Sequence, residues 1–244
     1  MTYVLSDIHG NLHRVTSILE QINLQPDDEL YVLGDVIDRY PHGIQILQSI
    51  MKMPNVRMLL GNHEYMMLQA LDTPYDEDDR FEFREHFDRM RLWYRNGGMV
   101  TENALLKLSE TEQKAIFRYL HSLPINLDIT VNGQHYKLVH GSPIELFKDC
   151  DGEYQNKIEF TVWNRLQPET VLNSNKTVIF GHTPTAHFQD KNPLKIWRGE
   201  NRIGIDCGCG FPAAKDQMKR DPLYGRLACL RLEDMKEFYS EDQQ

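Results

Sequence analysis

The segment Leu30-Tyr31-Val32-Leu33-Gly34-Asp35-Val36-Ile37-Asp38-Arg39 carries the clearest fold signal in this sequence. Its apolar start predicts a buried strand that ends at Gly34-Asp35. Two similar runs flank it, from Thr2 to Ser6 and from Val56 to Leu60, and each predicts another strand. Helical periodicity follows each run, at Leu12 to Ile22, Gly43 to Met53 and Glu64 to Leu71. A repeated strand–helix pattern is typical of a mainly parallel sheet with helices on its faces.

The middle of the sequence, from about Asp72 to Leu123, contains no convincing strand and mixes charged with aromatic residues. We predict a helical insertion there. Ser109-Glu110-Thr111-Glu112 has the spacing of a capping box, which begins a helix that ends near Pro124. Strands return afterwards, because Asn132-Gly133 is typical of a hairpin turn. The predicted later strands are Ile125 to Val131, Tyr136 to Val139, Thr177 to Phe180, Arg202 to Ile205 and Arg226 to Leu232.

The composition limits the classes of function. The chain has 244 residues, and 27 Lys and Arg against 36 Asp and Glu give a formal net charge of −9. An acidic balance disfavours binding to polyanions, so we expect no nucleic-acid partner. The length and an ordinary apolar content favour a single α/β domain over residues 1–244. The oligomeric state stays open.

The sequence also predicts a soluble, cytoplasmic protein with no membrane partner. It has no run of 18 apolar residues, and Asp7 interrupts the N-terminal region before a signal peptide could form. Four cysteines in a chain of this length do not make a disulfide framework. We interpret Cys207 and Cys209 mainly as small packing residues, with a redox or metal role as the weaker alternative.

Five short segments place possible metal ligands at the ends of predicted strands. In open α/β sheets, ligands bind beyond the carboxyl ends of the strands, so these segments are expected to converge. Each alone has an ordinary interpretation as a turn, a strand exit or a helix cap. Their coincidence favours a site, and imidazoles with carboxylates suit Mn, Fe or Zn. The segments are Asp7-Ile8-His9, Gly34 to Arg39, Gly61-Asn62-His63-Glu64, Val139-His140-Gly141 and Gly181-His182-Thr183-Pro184.

With these segments in this order, the sequence resembles the calcineurin-like metallophosphoesterases, and within them the phosphoprotein phosphatase family. It is most similar to the lambda-type serine/threonine phosphatases of bacteria and bacteriophages. The resemblance continues through Trp93 to Gly98, Trp163-Asn164-Arg165 and Gly204-Ile205-Asp206. It implies an α/β fold in which two sheets form a sandwich flanked by helices, with the helical insertion and with the active site at one edge.

The resemblance also implies two divalent metal ions, with Mn²⁺ expected and Fe or Zn as alternatives. Two cations about 3.5–4 Å apart need a shared anionic ligand and acidify a bridging water, and the resulting hydroxide would attack phosphorus in line. The implied ligands are Asp7, His9 and Asp35 for one ion and Asn62, His140 and His182 for the other, with Asp35 shared.

The remaining implied roles concern the substrate. His63 matches the family's general acid and would protonate the departing alkoxide, with Asp38 holding its ring. Arg39 and Arg165 match the arginines that grip the phosphoryl oxygens, and Asn62 also belongs to this phosphate-binding group.

One departure from the family pattern is Tyr40-Pro41, which follows Arg39 where the family usually has Gly. Pro41 restricts Tyr40 to extended geometry, so the loop cannot use the conformations open to Gly. We interpret Tyr40 as a packing residue, with stacking on a substrate as the alternative. Part of Asp72 to Asn96 is expected to form a cap or wall beside the metals that selects substrates.

The implied reaction is metal-dependent hydrolysis of a phosphate monoester on Ser, Thr or Tyr of a protein. The main alternative is hydrolysis of small phosphoanhydrides such as symmetrical diadenosine tetraphosphate, and Asp38 favours the phosphatase. The partner would accordingly be a phosphorylated protein or a small phosphorylated substrate. A non-catalytic phosphate-binding module is a distant alternative, disfavoured because every residue of the implied machinery is present.

Overall fold

The computed structural model describes residues 1–150, 152–172, 175–211 and 225–241. Within these ranges, ten strands form two five-stranded sheets. The strands of the first sheet are β1 (Thr2–Leu5), β2 (Glu29–Val32), β3 (Val56–Met58), β9 (Ala228–Arg231) and β10 (Lys236–Tyr239). Those of the second are β4 (Asn126–Val131), β5 (Gln134–Val139), β6 (Thr177–Phe180), β7 (Trp197–Gly199) and β8 (Arg202–Gly204).

Each sheet has a parallel part extended by antiparallel strands. The first sheet has the order β10-β9-β1-β2-β3, in which β1, β2 and β3 are parallel and β9 is antiparallel to its neighbours. The second has the order β4-β5-β6-β8-β7, with β5, β6 and β8 parallel. Strands β4 and β5 form the predicted hairpin, and Asn132 and Gly133 at its turn both have positive φ, at 49° and 78°.

Seven α-helices lie in the described ranges, and three of them form the insertion predicted for 72–123. Ser109 caps the last of these with the expected capping box, since its hydroxyl accepts from the Glu112 amide while Glu112 bonds back to the Ser109 amide. The helices are α1 (Leu12–Ile22), α2 (Gly43–Ile50), α3 (Asn62–Leu71), α4 (Arg80–Arg95), α5 (Met99–Leu105), α6 (Glu110–Ser122) and α7 (Lys157–Trp163).

Successive side chains along the strands point to opposite faces of the sheet and so contribute to two main layers of the core. In β1, Tyr3 and Leu5 pack with Ile18 of α1 on one face of the first sheet. Val4 points the other way and packs with Leu138 of the second sheet. The two sheets therefore form a sandwich with helices outside the first sheet, as the resemblance implied. No helix in the described ranges is long and apolar enough to cross a membrane.

Candidate functional site

The five predicted segments lie together at the carboxyl ends of parallel strands, in and beneath one cleft of about 430 Å³. Strands β1, β2 and β3 lead into the first three segments, and β5 and β6 of the other sheet lead into the last two. The cleft therefore spans both sheets. Its wall includes Asp7, His9, Asp35, Arg39, Asn62, His63, Arg165 and His182, while Asp38 and His140 are fully buried behind it.

The loops that carry the ligand candidates have unusual backbone geometry. Asp7, His9, Asp35 and His182 all have positive φ, between 50° and 61°. Such conformations are unfavourable for side-chain-bearing residues and persist where the surroundings fix them. Here hydrogen bonds between the loops stabilise these conformations. The His9 amide donates to the Asp35 carbonyl at 2.9 Å, and the His182 amide donates to the Asp7 carboxylate at 3.1 Å.

Asp35 lies between two groups of imidazoles. Its Oδ2 is 3.7 Å from His9 Nε2 and 3.8 Å from His63 Nε2, and its Oδ1 is 3.4 Å from His140 Nε2. Two sets of ligand atoms, each within 4.8 Å of one another, consequently share this carboxylate: His9, Asp35 and His63, and Asp35, His140 and His182. A shared carboxylate between two ligand sets is the arrangement that a pair of dications requires.

The other two implied ligands, Asp7 and Asn62, adjoin these sets. Asp7 Oδ1 is 4.0 Å from His9 Nε2, and the Asp7 carboxylate accepts hydrogen bonds from the Ser6 hydroxyl and the His182 amide. Asn62 Oδ1 is 2.9 Å from His140 Nε2. The structure thus brings together all six implied ligands and places His63 near the first set as well.

Backbone carbonyls fix which ring nitrogen of each imidazole can face an ion. The His140 Nδ1 lies 2.7 Å from the Leu33 carbonyl and the His182 Nε2 lies 3.0 Å from the Trp163 carbonyl. A carbonyl can only accept, so these nitrogens donate, and in a neutral ring the opposite nitrogen is the one that can offer a lone pair to an ion. Burial lowers the pKa of His9 and of His182 well below the ordinary value. Both rings are therefore neutral near neutral pH, the form in which an imidazole can bind a metal.

Burial and crowding perturb the pKa values of the carboxylates in the cleft. Burial raises the pKa of Asp206, on the cleft wall, well above its ordinary value, and the nearby Asp7 raises it further. Burial also raises the pKa of Asp7. For Asp35, burial acts in the same direction, but the surrounding imidazoles, His140 foremost, hold its pKa below the ordinary range. Crowding such groups into one cleft favours bound cations.

The thiols near the cleft do not join this donor set. Cys209 directs its Sγ at the Ile8 carbonyl, 3.3 Å away, and burial raises its pKa to about 12. Burial also raises the pKa of Cys207 above its ordinary value. Both cysteines are buried and lie among the core residues, in agreement with a packing role. Oxygen and imidazole donors remain, and they fit divalent cations of the Mn, Fe and Zn class.

His63 forms a second functional unit with Asp38 and Arg39. Its Nδ1 is 2.7 Å from Asp38 Oδ2, and its Nε2 is 3.2 Å from Arg39 Nη2. Burial lowers the pKa of His63, but the carboxylates of Asp35 and Asp38 outweigh burial and raise the pKa above its ordinary value. A histidine with a raised pKa at the cleft surface is suited to donate a proton.

Arg165 reaches the cleft from the segment after α7. Its Nη1 donates to the His182 carbonyl at 2.8 Å, which fixes the guanidinium beside the second ligand set. Arg39 lines the same cleft. Two guanidinium groups beside this cluster of carboxylates and imidazoles could bind a phosphoryl group.

Comparison with known proteins agrees with this geometry. The family model for calcineurin-like phosphoesterases matches residues 2–205. The chain belongs to the calcineurin-like phosphoesterase family. Over 190 residues it is 27% identical to serine/threonine-protein phosphatase 2 of Salmonella typhimurium, covering 74% of this chain and 78% of that relative.

Two further similarities are to proteins described as tetraphosphatases. A symmetrical bis(5'-nucleosyl)-tetraphosphatase from Erwinia tasmaniensis is 38% identical over 69 residues, which are 28% of this chain and 25% of that protein. The match thus spans only about a quarter of that relative's length. The crystal structure of a candidate diadenosine tetraphosphatase superimposes with a TM-score of 0.57 at 14% identity, covering 98% of this chain and 91% of the other. At that identity the likeness concerns the fold.

Several site residues of this calcineurin-like phosphoesterase were missed by the sequence analysis. Glu64 is fully buried, and its carboxylate accepts from the amides of Asp35, Val36 and Gly61 at 2.8–3.1 Å. Burial raises its pKa to about 7. The available signal was its position three residues after Gly61, which is the capping-box spacing.

The sequence analysis also assigned no role to Asp206, Trp93 or Thr101. Asp206 and Trp93 lie in segments quoted for the family resemblance, which was the available signal. Trp93 and Thr101 both hydrogen-bond to the Asp38 carboxylate. No local pattern marks Thr101.

Tyr40, the departure from the family pattern, forms hydrogen bonds with two residues that line the cleft. Its hydroxyl donates to the Phe211 carbonyl at 2.9 Å, and its amide lies 3.1 Å from the His9 carbonyl. Phe211 lines the cleft. This geometry agrees with the packing interpretation of Tyr40.

Proposed function

We propose that this chain is a phosphomonoesterase that uses two divalent metal ions to hydrolyse phosphoserine and phosphothreonine in proteins, with phosphotyrosine as a further substrate. The observation that carries the proposal is the His63–Asp38 pair, at 2.7 Å, on the cleft that also holds the shared Asp35. That cleft combines a proton donor, phosphoryl-binding guanidinium groups and two ligand sets, which together suffice for transfer of a phosphoryl group to water.

The proposed ligands of the first ion are Asp7, His9 and Asp35, and those of the second are Asp35, Asn62, His140 and His182. When bound, the two cations polarise the phosphoryl oxygens and acidify a water molecule. The oxygen and nitrogen donors of these sets favour Mn²⁺, with Fe and Zn as alternatives. His63 also lies within reach of the first set, but its Nδ1 is held by Asp38 and its Nε2 lies 3.2 Å from Arg39 Nη2, so we assign it to the leaving group beside the phosphoryl-binding arginine.

The side chains that face the substrate then have distinct tasks. Arg39 and Arg165 orient the phosphoryl oxygens and offset the charge that develops on them, and Asn62 lies on the same wall. His63 passes the proton on Nε2 to the ester oxygen as the P–O bond breaks, so the alcohol leaves neutral. Asp38 accepts a hydrogen bond from the Nδ1–H throughout and keeps the ring oriented.

Protein as the substrate class is supported by the Salmonella typhimurium relative, since the match extends over most of both chains. Removal of a serine or threonine alkoxide also needs the protonation that the His63–Asp38 pair supplies.

Symmetrical cleavage of diadenosine tetraphosphate is the second candidate, and the 38% identity over 69 residues supports it. The deciding experiment measures kcat/KM of the Mn²⁺-loaded protein on a phosphoserine peptide, a phosphotyrosine peptide and diadenosine tetraphosphate. We expect the phosphopeptides to be preferred. Preference for the dinucleotide would transfer the assignment to the second candidate, and absence of metal-dependent turnover on all three would refute both.

A further inference from the structure

The loop that carries Asp38 and Arg39 is held in an unfavourable conformation. Both residues have positive φ, at 70° and 66°, although neither is glycine. Consecutive residues in this region persist only when surrounding contacts fix them. The residues that make those contacts therefore hold the His63–Asp38 pair in place.

Much of this support comes from the helical insertion. Thr101, on α5, uses one hydroxyl twice: it accepts from the Asp38 amide at 2.9 Å and donates to Asp38 Oδ1 at 2.6 Å. Trp93, on α4, donates its indole N–H to Asp38 Oδ2 at 3.0 Å. The Gly97 carbonyl, between these helices, accepts from the Arg39 amide at 3.2 Å.

The turn between α4 and α5 is shaped to make this contact. Gly97 has φ of 100°, and a Cβ there would lie 2.9 Å from the Arg39 backbone nitrogen. A Cβ at Gly98 would lie 2.4 Å from the Trp93 ring. Trp93 and Thr101 are themselves buried, with exposed fractions of 0% and 2%. A side chain at Gly97 would thus push the turn away from the Arg39 backbone, and one at Gly98 would displace the Trp93 ring.

The Asp38 carboxylate is consequently shared between the insertion and the proton donor. Oδ1 accepts from the Thr101 hydroxyl and Oδ2 from His63 Nδ1, while the Trp93 indole N–H donates to both oxygens, at 3.2 Å and 3.0 Å. Rotation of the carboxylate would break at least one of these bonds. Its orientation, and with it the direction of the His63 ring, is therefore fixed by two residues that do not line the cleft.

We propose that Trp93 and Thr101 are positioning residues for the His63–Asp38 pair, so that protonation of the leaving group depends on the docked insertion. This inference rests on the proposed function for its kinetic consequence. It gives the insertion a role in the chemical step, in addition to any selection of substrates by its outer surface.

The kinetic test compares kcat on a phosphoserine peptide and on p-nitrophenyl phosphate at saturating Mn²⁺. Thr101→Val keeps the shape but removes the hydroxyl. We expect a loss of about ten-fold or more on the peptide, because small misplacements of catalytic groups are costly. The loss should be clearly smaller on p-nitrophenyl phosphate, whose leaving group departs without a proton. Metal content and KM should be unchanged, and Thr101→Ser should restore most of the activity.

Thr161→Val is the matched control. Thr161 is equally buried, with an exposed fraction of 0%, but its hydroxyl has no hydrogen-bond partner among the described residues. We expect wild-type kinetics from it. Equal losses on both substrates for Thr101→Val, or no loss on either, would overturn the proposal.

A second readout does not depend on turnover. In protein loaded with diamagnetic Zn²⁺, the proton shared by His63 Nδ1 and Asp38 should give a downfield ¹H NMR signal, assigned by its loss in His63→Asn. Thr101→Val and Trp93→Phe should shift or broaden this signal, and Thr161→Val should not. An unchanged signal in both variants would refute the positioning role even if the wild type failed to hydrolyse any phosphate ester, a result that would refute the proposed function separately.

Discussion

Asp35 is the residue on which both ligand sets depend, because its two carboxylate oxygens face different groups of imidazoles. An asparagine has nearly the same shape but no charge to offset two dications. We expect Asp35→Asn to weaken metal binding by more than about 100-fold, the upper range for residues that merely support a ligand, and to abolish turnover. Elemental analysis of the purified variant measures the first effect. Two metals per chain with wild-type activity would contradict the bridging role.

A matched control for this substitution is Asp234→Asn. Asp234 is exposed on the surface and pairs with Arg231 at 2.6 Å, far from the cleft in the β9–β10 turn. Its replacement should leave metal content unchanged, which separates a specific loss of charge at Asp35 from a general effect of removing a carboxylate.

His63 allows protonation of the leaving group to be separated from metal binding. His63→Asn should retain both metals yet lose the proton donor. General acid catalysis is typically worth about 10²–10⁴-fold, so kcat should fall towards that range for phosphoserine peptides and clearly less for p-nitrophenyl phosphate. The measurement is kcat across alkyl and aryl phosphates of graded leaving-group pKa. A uniform loss, or a loss rescued by extra metal, would instead place His63 among the ligands.

Among the secondary-structure elements, α6 offers a test that is independent of the site. The Ser109 hydroxyl caps this helix, so Ser109→Ala should lower the free energy of unfolding by about 1 kcal/mol without changing kcat. Chemical denaturation measures the effect. Ser122→Ala, at the other end of α6, removes a hydroxyl that only donates to the Tyr119 carbonyl, and it should change stability less. Equal effects of the two substitutions would contradict the capping role.

The elements that could be predicted from sequence are those specified locally. The Ser109 capping box and the Asn132-Gly133 turn are examples, since the residues that fix them lie within a few positions of one another. Strands β7 and β10 were missed because each is an edge strand of three or four residues that pairs with a single neighbour. Helix α7, with seven residues, is too short for a clear helical period.

The candidate site also has a part that could be predicted from the sequence and a part that could not. Its ligand residues could be brought together from sequence because parallel strands direct their carboxyl ends to the same edge. Trp93 and Thr101 could not, because their bonds to Asp38 join residues 55 and 63 positions apart through the docking of the insertion. That docking depends on packing, which periodicity does not describe.

At the scale of the whole molecule, the buried ionisable groups make stability depend on metal and pH. In metal-free protein above about pH 7, His9 and His182 are neutral both folded and unfolded, so they no longer contribute a pH dependence. The pKa values of His63 and Asp206 are raised by folding, so the folded state holds more protons than the unfolded state. Stability should therefore fall as the pH rises above about 7, where the unfolded His63 has lost its proton and the folded one still holds it.

Thermal unfolding in EDTA across this range measures that slope. Adding Mn²⁺ should raise the Tm at every pH, because the folded protein alone presents the assembled ligand sets. His63→Asn should flatten the slope in EDTA, since it removes the histidine whose pKa folding raises. A metal-free Tm that rises with pH would contradict the assigned directions.

The place of β1 in the first sheet has a consequence for synthesis. This strand lies between β2 and β9, and it pairs with a partner made some 220 residues later. At translation rates of about 5–20 residues per second, β1 waits roughly 10–45 s on the ribosome before β9 exists. During that time one edge of the nascent sheet is unpaired and prone to association with other chains. Chaperone binding to the growing polypeptide would protect this edge until the C-terminal hairpin closes the sheet.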